Sequence, residues 1–247
     1  MAIKLDTSKF VKNLAQRNKL VPHLDKAIAQ GEFEWKYEFP GPKVQDNAWH
    51  PSGDCTPSVY ELYHQAVSPP EERRFPASLF KTFQVGHFWH QYLQFITVER
   101  LGFAGWDEIE RTGEKSWGHR EGTRPYCWVR GSADICPCSI PGHGDYLVDF
   151  KTMKSSDFKQ NGMPNWCVAK YECQINIYMD LFDIDQALIL CILKDSPHDM
   201  KEFAFSRNQP LIDAIYDKWH MVSDCLNAEV EPDPDFDIPL PLVGPSR

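Results

Sequence analysis

The chain has 247 residues and a mass of 28.6 kDa, with 26 Lys and Arg against 35 Asp and Glu and a formal net charge of −9. Hydrophobic residues make up 42% and charged residues 25%, a mix that supports a hydrophobic core and excludes disordered, collagen-like and coiled-coil classes. The acidic balance speaks against holding nucleic acid by bulk positive charge, but leaves room for a local basic groove or for carboxylates gathered around a cation.

The charge is unevenly placed. Residues 1–30 carry Lys4, Lys9, Lys12, Arg17, Lys19 and Lys26 against Asp6 and Asp25, whereas residues 224–247 carry six acids against Arg247. Residues 1–50 read as a basic, weakly helical arm and loop, 51–228 as the main domain, and 229–247 as an acidic, Pro-rich extended tail. No apolar run reaches the length of a membrane span, and Met1–Leu20 lacks a signal-peptide core, so a soluble, cytoplasmic protein is expected. Eight cysteines contain no CxxC pair and read as buried, reduced thiols.

In chain order, 40–57 is loop-like. Ser58–Ala66 has a short helical pattern with Val59, Leu62 and Tyr63 on one face. Ala77 to Leu101 is a long helical pattern closed by Gly102. The period then changes. Asp107–Thr112 is a candidate strand, and Tyr126–Cys138 alternates as one strand with Tyr126, Trp128, Arg130, Ser132, Asp134, Cys136 and Cys138 on a single face. After a Pro141–Gly144 turn, Asp145–Thr152 alternates again, with Leu147, Asp149 and Lys151 opposite Tyr146, Val148 and Phe150. Trp166–Phe182 reads as an amphipathic helix, Gln186–Leu193 as a central strand, Glu202–Ser206 as an edge strand and Pro210–Ala228 as a final helix. This order predicts an α/β fold with a mixed sheet flanked by helices.

Four features converge on chemistry. Gly86, His90 and Gln94 fall on one face of the long helix at i, i+4 and i+8. Gly131-Ser132-Ala133-Asp134 puts a carboxylate late in a strand. Asp149-Phe150-Lys151 puts a carboxylate and an ammonium on one strand face. Tyr171, Gln174 and Tyr178 share a face of the next helix. Two carboxylates on neighbouring strands suit Mg²⁺ or Mn²⁺, and an imidazole tilts the preference towards Mn²⁺. A lysine beside such an ion would donate to a phosphate oxygen or orient the attacking water. Each feature alone has a plainer meaning: a surface Asp-x-Lys, a turn aspartate, a partly buried histidine, a helix core. Their order and spacing make the combination specific.

Gly86-x-x-x-His90, Gly131-x-x-Asp134, Asp149-Phe150-Lys151-Thr152 and Gln174-x-x-x-Tyr178 resemble the successive motifs of the RecB-like branch of the PD-(D/E)XK nucleases, most closely the CRISPR-associated and phage-encoded RecB-like exonucleases, over about Cys55 to Phe205. The resemblance implies a restriction-endonuclease-like αβββαβ core. It implies His90, Asp134, Asp149 and the Phe150 carbonyl as metal ligands, Lys151 as the catalytic lysine, and Gln174 and Tyr178 as groups that steady the lysine or the scissile strand. Glu110 stands where many relatives carry an acid.

Many relatives hold an iron–sulfur cluster with one early Cys and three late ones. Ser52-Gly53-Asp54-Cys55 resembles the early segment, but only Cys191 and Cys225 follow Tyr178, so no cluster is expected. A zinc site drawing on Cys136, Cys138, His143 and Cys55 is an alternative to buried thiols. Basic and aromatic residues interleave around the motifs: Arg111, Lys115, Trp117, Arg120, Arg124, Trp128 and Arg130, then Lys154, Lys159, Trp166, Lys170 and Tyr171. Such a groove would grip a DNA end, with Trp128, Arg130, Lys154 and Tyr171 as substrate contacts. The expected function is a metal-dependent DNA exonuclease in phage or prokaryotic recombination, replication or repair. A structure-selective endonuclease and a non-catalytic DNA-binding or assembly subunit are the alternatives. The tail could recruit a helicase or recombinase, and no segment identifies an oligomer interface.

Overall fold

The computed structural model describes residues 18–30, 36, 47–68, 77–105, 110–116, 126–154, 156, 165–194 and 199–245, with the side chains of 77–80, 165 and 166 outside that set. The elements are α1 Val21–Ala29, β1 Ala48–Trp49, α2 Pro51–Asp54, α3 Val59–Val67, α4 Ala77–Phe95, β2 Arg111–Ser116, β3 Trp128–Ala133, β4 Ile135–Ile140, β5 Gly144–Met153, α5 Asn165–Phe182, β6 Gln186–Leu193, β7 Met200–Ser206 and α6 Gln209–Ala228. The succession α4, strands β2 to β5, α5 and β6 follows the expected αβββαβ order of an α/β fold, with the middle strand split into β3 and β4.

Local chemistry sets the element ends. Ser58 caps α3 in a reciprocal capping box with Glu61. Helix α4 runs into a π-helical turn, Ile96–Arg100, and Gly102 leaves it at φ +62°, a left-handed conformation that glycine takes without steric cost. Helix α1, in the arm expected to be weakly helical, has Pro22 in its first turn. Its N-terminal end is satisfied from a distant strand, where Glu202 accepts from the backbone N–H groups of Lys19, Leu20 and Val21 at 2.7, 2.8 and 3.2 Å.

The strands form a three-stranded sheet in the order β1-β3-β2 and a four-stranded sheet in the order β4-β5-β6-β7. Strands β5 and β6 are parallel, and β4 and β7 flank them antiparallel. Three cores follow. One lies between Leu93 of α4 and Ile96 of the π-helical turn, Leu20 and Leu24 beside and in α1, and the Tyr146-Val148-Phe150 face of β5. A second lies between α5 and the opposite face, with Leu147, Met153, Ile175 and Met179. The third joins α3, α6, Trp49 and Val129 to the far side of α5.

Three expectations are corrected. The strand expected at Asp107–Thr112 is found at Arg111–Ser116, and residues 106–109 lie outside the described set. The single strand expected over Tyr126–Cys138 is two strands in two sheets, broken at Asp134. Tyr126 sits before it at φ +62°. The β4–β5 register shifts between Ile135 and Cys138, so Cys136 packs in the second core and Cys138 in the first. A register slip of this kind sends neighbouring alternate residues to opposite faces. Helix α5 is not amphipathic: residues 172–179 are all buried. Its polar side chains there are taken up by specific partners. Glu172 accepts from the N–H groups of Val243 and Gly244 at 2.7 and 2.9 Å, and Asn176 accepts from the Asn208 N–H at 2.7 Å. Residues 230–245 thus form no regular element yet lie against α3, α5 and α6, where Asp237 also meets the buried Lys218 ammonium at 3.1 Å.

Candidate active site

The seam between the two sheets brings the four motifs together. Asp134 occupies the one residue between β3 and β4, and its Oδ2 accepts from the Phe150 N–H of β5 at 2.6 Å. From α4, His90 Nδ1 approaches the same oxygen at 3.3 Å, and one turn on, Gln94 donates to the Asp134 carbonyl at 3.2 Å. The helix comes this near because Gly86 has no side chain: a Cβ there would stand 3.3 Å from Thr152 Oγ1 of β5. Gly86, His90 and Gln94 therefore face the end of β5, as their spacing predicts.

Asp149 is 3% exposed and forms an ion pair with Lys151, two residues on along β5. Its Oδ2 is shielded from solvent, and the lysine contact is not aligned as a hydrogen bond. The Lys151 ammonium also lies 5.5 Å from the centre of the Tyr171 ring. On α5, Gln174 donates to the Tyr178 hydroxyl at 3.0 Å within the interior. The Tyr178 ring packs on β3 at Gly131, where a Cβ would come within 2.5 Å of the ring.

The electrostatics form one coupled set. Burial pushes the Asp149 carboxyl up, the Lys151 ammonium works against this, the Asp134 charge adds to it, and the net direction is upward. Burial also works to raise Asp134, but His90, Lys151 and the Phe150 N–H together hold it below the usual carboxylate range. Burial would lower both His90 and Lys151; the two carboxylates outweigh it and raise both. Burial lifts the Tyr178 hydroxyl far above its ordinary value, so it stays protonated.

Sequence reasoning missed Lys194. Its N–H donates to the Met153 carbonyl at 2.9 Å, which sets Lys194 beside Lys154 where the parallel strands β5 and β6 end. Burial and the charge of Lys154 lower its pKa. Only the pairing of β5 with β6 brings these lysines together, so no local pattern announces the pair. Glu110 precedes Arg111, which pairs with Ala133, and so stands near the end of β3 that leads to Asp134.

The other basic residues divide. Arg130 and Trp128 lie on the open face of β3. Arg111 and Lys115 face α5, over the Phe182 ring at 5.5 Å and bonded to Asp180 at 2.7 Å. Lys170 is exposed on α5, whereas Trp117, Arg120, Arg124 and Lys159, with the Trp166 side chain, lie outside the described residues.

Cys55 is buried in the third core near Cys173, and burial first, then the neighbouring thiol and carboxylate, raise its pKa well above the ordinary value. Cys136 and Cys138, in different cores, do not converge as a Cys-x-Cys ligand pair. Among the described residues, no three His, Cys, Asp or Glu side chains already stand in a metal-holding group, and no helix is long and apolar enough to cross a membrane.

No family model and no curated protein matches the chain. Several solved structures do. A phage-related exonuclease from Haemophilus somnus 129PT is 16% identical, covering 69% of this chain and 80% of its own, at a TM-score of 0.42. An alkaline exonuclease from Laribacter hongkongensis is 13% identical, covering 75% and 90%, at a TM-score of 0.41. The same exonuclease in complex with dAMP is 16% identical over the same shares, at a TM-score of 0.47.

Proposed function

We propose that the protein is a divalent-metal-dependent DNA exonuclease that hydrolyses phosphodiester bonds at DNA ends in phage or prokaryotic recombination, replication or repair. The observation that carries this is the meeting of His90, Asp134, Asp149 and Lys151 at one seam, from three separate elements, in the order of the RecB-like motifs.

The residues fit a cation. Two carboxylates and an imidazole are a donor set for Mg²⁺ or Mn²⁺. Asp149 Oδ2 is buried without a well-formed hydrogen bond, an arrangement that invites an ion. The positive charge that a cation would bring is now supplied by His90 against Asp134 and by Lys151 against Asp149. His90, Asp134, Asp149 and the Phe150 carbonyl would hold the ion, which supplies an acidified water and charge stabilisation at phosphorus. Lys151 would then orient that water or donate to a phosphate oxygen. Gln174 and Tyr178 fix the wall behind β3, and Tyr171 lies beside Lys151. Arg130, Trp128 and Lys154 would contact the substrate. All eight cysteines are thiols, which suits a reducing, cytoplasmic setting.

The test uses end-labelled linear, circular and single-stranded DNA with Mn²⁺ or Mg²⁺. Loss of label from linear molecules, abolished in folded Asp149→Asn and Lys151→Ala, is expected. Cutting of circles would make the protein an endonuclease. A wild type as inert as both variants with either metal overturns the catalytic reading.

A further inference from the structure

The face of β3 turned away from α5 carries Trp128, Arg130 and Ser132 in succession and ends at Asp134. Strand β2 places Ser116, Glu114 and Thr112 opposite them, which makes three cross-strand rungs leading to the site. Each rung has its own chemistry. Trp128 is 49% exposed, unusual for an indole on a strand. Arg130 Nε donates to Glu114 Oε1 at 2.7 Å. Thr112 and Ser132 share a hydroxyl–hydroxyl bond of 2.8 Å. The other face of the ribbon is closed by α5, through Leu181 and Phe182 against Gly113 and Tyr178 against Gly131. Alternate strand residues are about 6.6–6.8 Å apart, so the row from Trp128 to Asp134 spans about 20 Å. That is about six nucleotides of a stacked strand at ~3.4 Å each.

We propose that this face is a track that leads a single DNA strand to Asp134, and that Glu114 holds the place of a phosphate on Arg130 until the strand arrives. The proposal rests on the nuclease reading and names the form of its substrate. A carboxylate and a phosphate oxygen satisfy a guanidinium in the same way, so the exchange leaves Arg130 paired throughout. The indole can stack only on a base whose face is open, which an unpaired strand offers and a closed duplex does not. The Thr112 and Ser132 hydroxyls, one rung from Asp134, can turn from each other to a phosphate or sugar oxygen of the nucleotide next to the site.

The experiment measures binding of a fluorescein-labelled oligothymidylate and of a closed hairpin duplex by anisotropy in EDTA, with digestion of linear DNA assayed in parallel and melting temperatures recorded. Trp128→Ala should weaken oligothymidylate binding at least fivefold, and the Thr112→Val/Ser132→Ala pair a few-fold, with melting temperatures unchanged. Arg130→Ala should weaken binding and make the salt slope shallower by about 0.7. Glu114→Gln should tighten binding several-fold, a gain that misfolding cannot produce. If Trp128→Ala and Glu114→Gln bind as the wild type while the wild type digests DNA, the track is wrong and the nuclease stands. A wild type that neither binds nor digests DNA overturns both. Equal losses for hairpin and oligothymidylate overturn the single-strand assignment. A Trp128→Ala variant that only converts a dimer into a monomer makes the face an interface between copies and overturns the track.

Discussion

Gly131 has no room for a side chain. An added Cβ would collide with the Tyr178 ring and stand 2.9 Å from Leu181, so α5 can approach β3 only over a glycine. Gly131→Ala should cost about 1–3 kcal/mol by overpacking, read as a lower melting temperature, and should reduce digestion by tilting the ring behind the seam. The Asp149–Lys151 pair gives a second prediction. Asp149→Ala leaves a buried ammonium without its carboxylate and should cost about 3–5 kcal/mol. Adding Lys151→Met removes the orphan charge, so the double variant should be more stable than Asp149→Ala while remaining inactive. Additive losses in a denaturant titration would show that the two side chains are not energetically coupled.

At the scale of elements, what the sequence reveals depends on how local the cause is. The start of the short helix at Ser58, the close of the long helix at Gly102 and the alternation of β5 are written in neighbouring residues, and they stand where expected. The break at Asp134 is not. Alternation runs unbroken through Tyr126–Cys138, and the change of sheet follows from a β4–β5 register shift that only the partner strand reveals. Likewise α5 reads as amphipathic because Glu172, Asn176 and Asp180 look like a solvent face. Their partners are Val243 and Gly244, Asn208, and the trio of Lys115, Arg207 and Tyr216. The motif residues were legible from order and spacing, but the pairing of Lys154 with Lys194 needed the parallel neighbours.

The trio around Asp180 makes a pH prediction. Burial works to raise this carboxyl, but bonds from Lys115 and Tyr216 and the charge of Arg207 outweigh it and hold it below the usual range. A depressed folded-state value contributes stability that is present above the unfolded value, about 3.9, and lost as pH falls through the folded one. Asp180→Asn should therefore melt a few degrees below the wild type near neutral pH, and the gap should close below about pH 4. A gap independent of pH would exclude the charge as its cause.

On the nuclease reading, a net charge of −9 coexists with a negatively charged substrate. Six acids lie in residues 224–247, while Arg130 stands on the open face of β3 and Lys154 and Lys194 sit together where β5 and β6 end. With about three to four phosphate contacts, single-strand affinity should fall with salt at a log–log slope of about −2 to −3, far shallower than for proteins that wrap DNA in a basic surface. Millimolar Mn²⁺ should raise the melting temperature, as any ligand of the folded state does, and Asp149→Asn should abolish the rise. A rise of equal size in that variant would place the ion elsewhere.

The bonds from Glu172 to Val243 and Gly244 also set a clock on the molecule's birth. The amide donors are 71 and 72 residues downstream of the carboxylate. At a ribosomal speed of about 5–20 residues per second, they are made roughly 4–14 s after it. Until then, Glu172 of α5, the helix that also bears Gln174 and Tyr178, lacks the amide donors that meet it in the folded chain. The nascent chain thus carries all four motifs long before Glu172 can meet its partners, and that contact of α5 waits until residues 243 and 244 have left the ribosome.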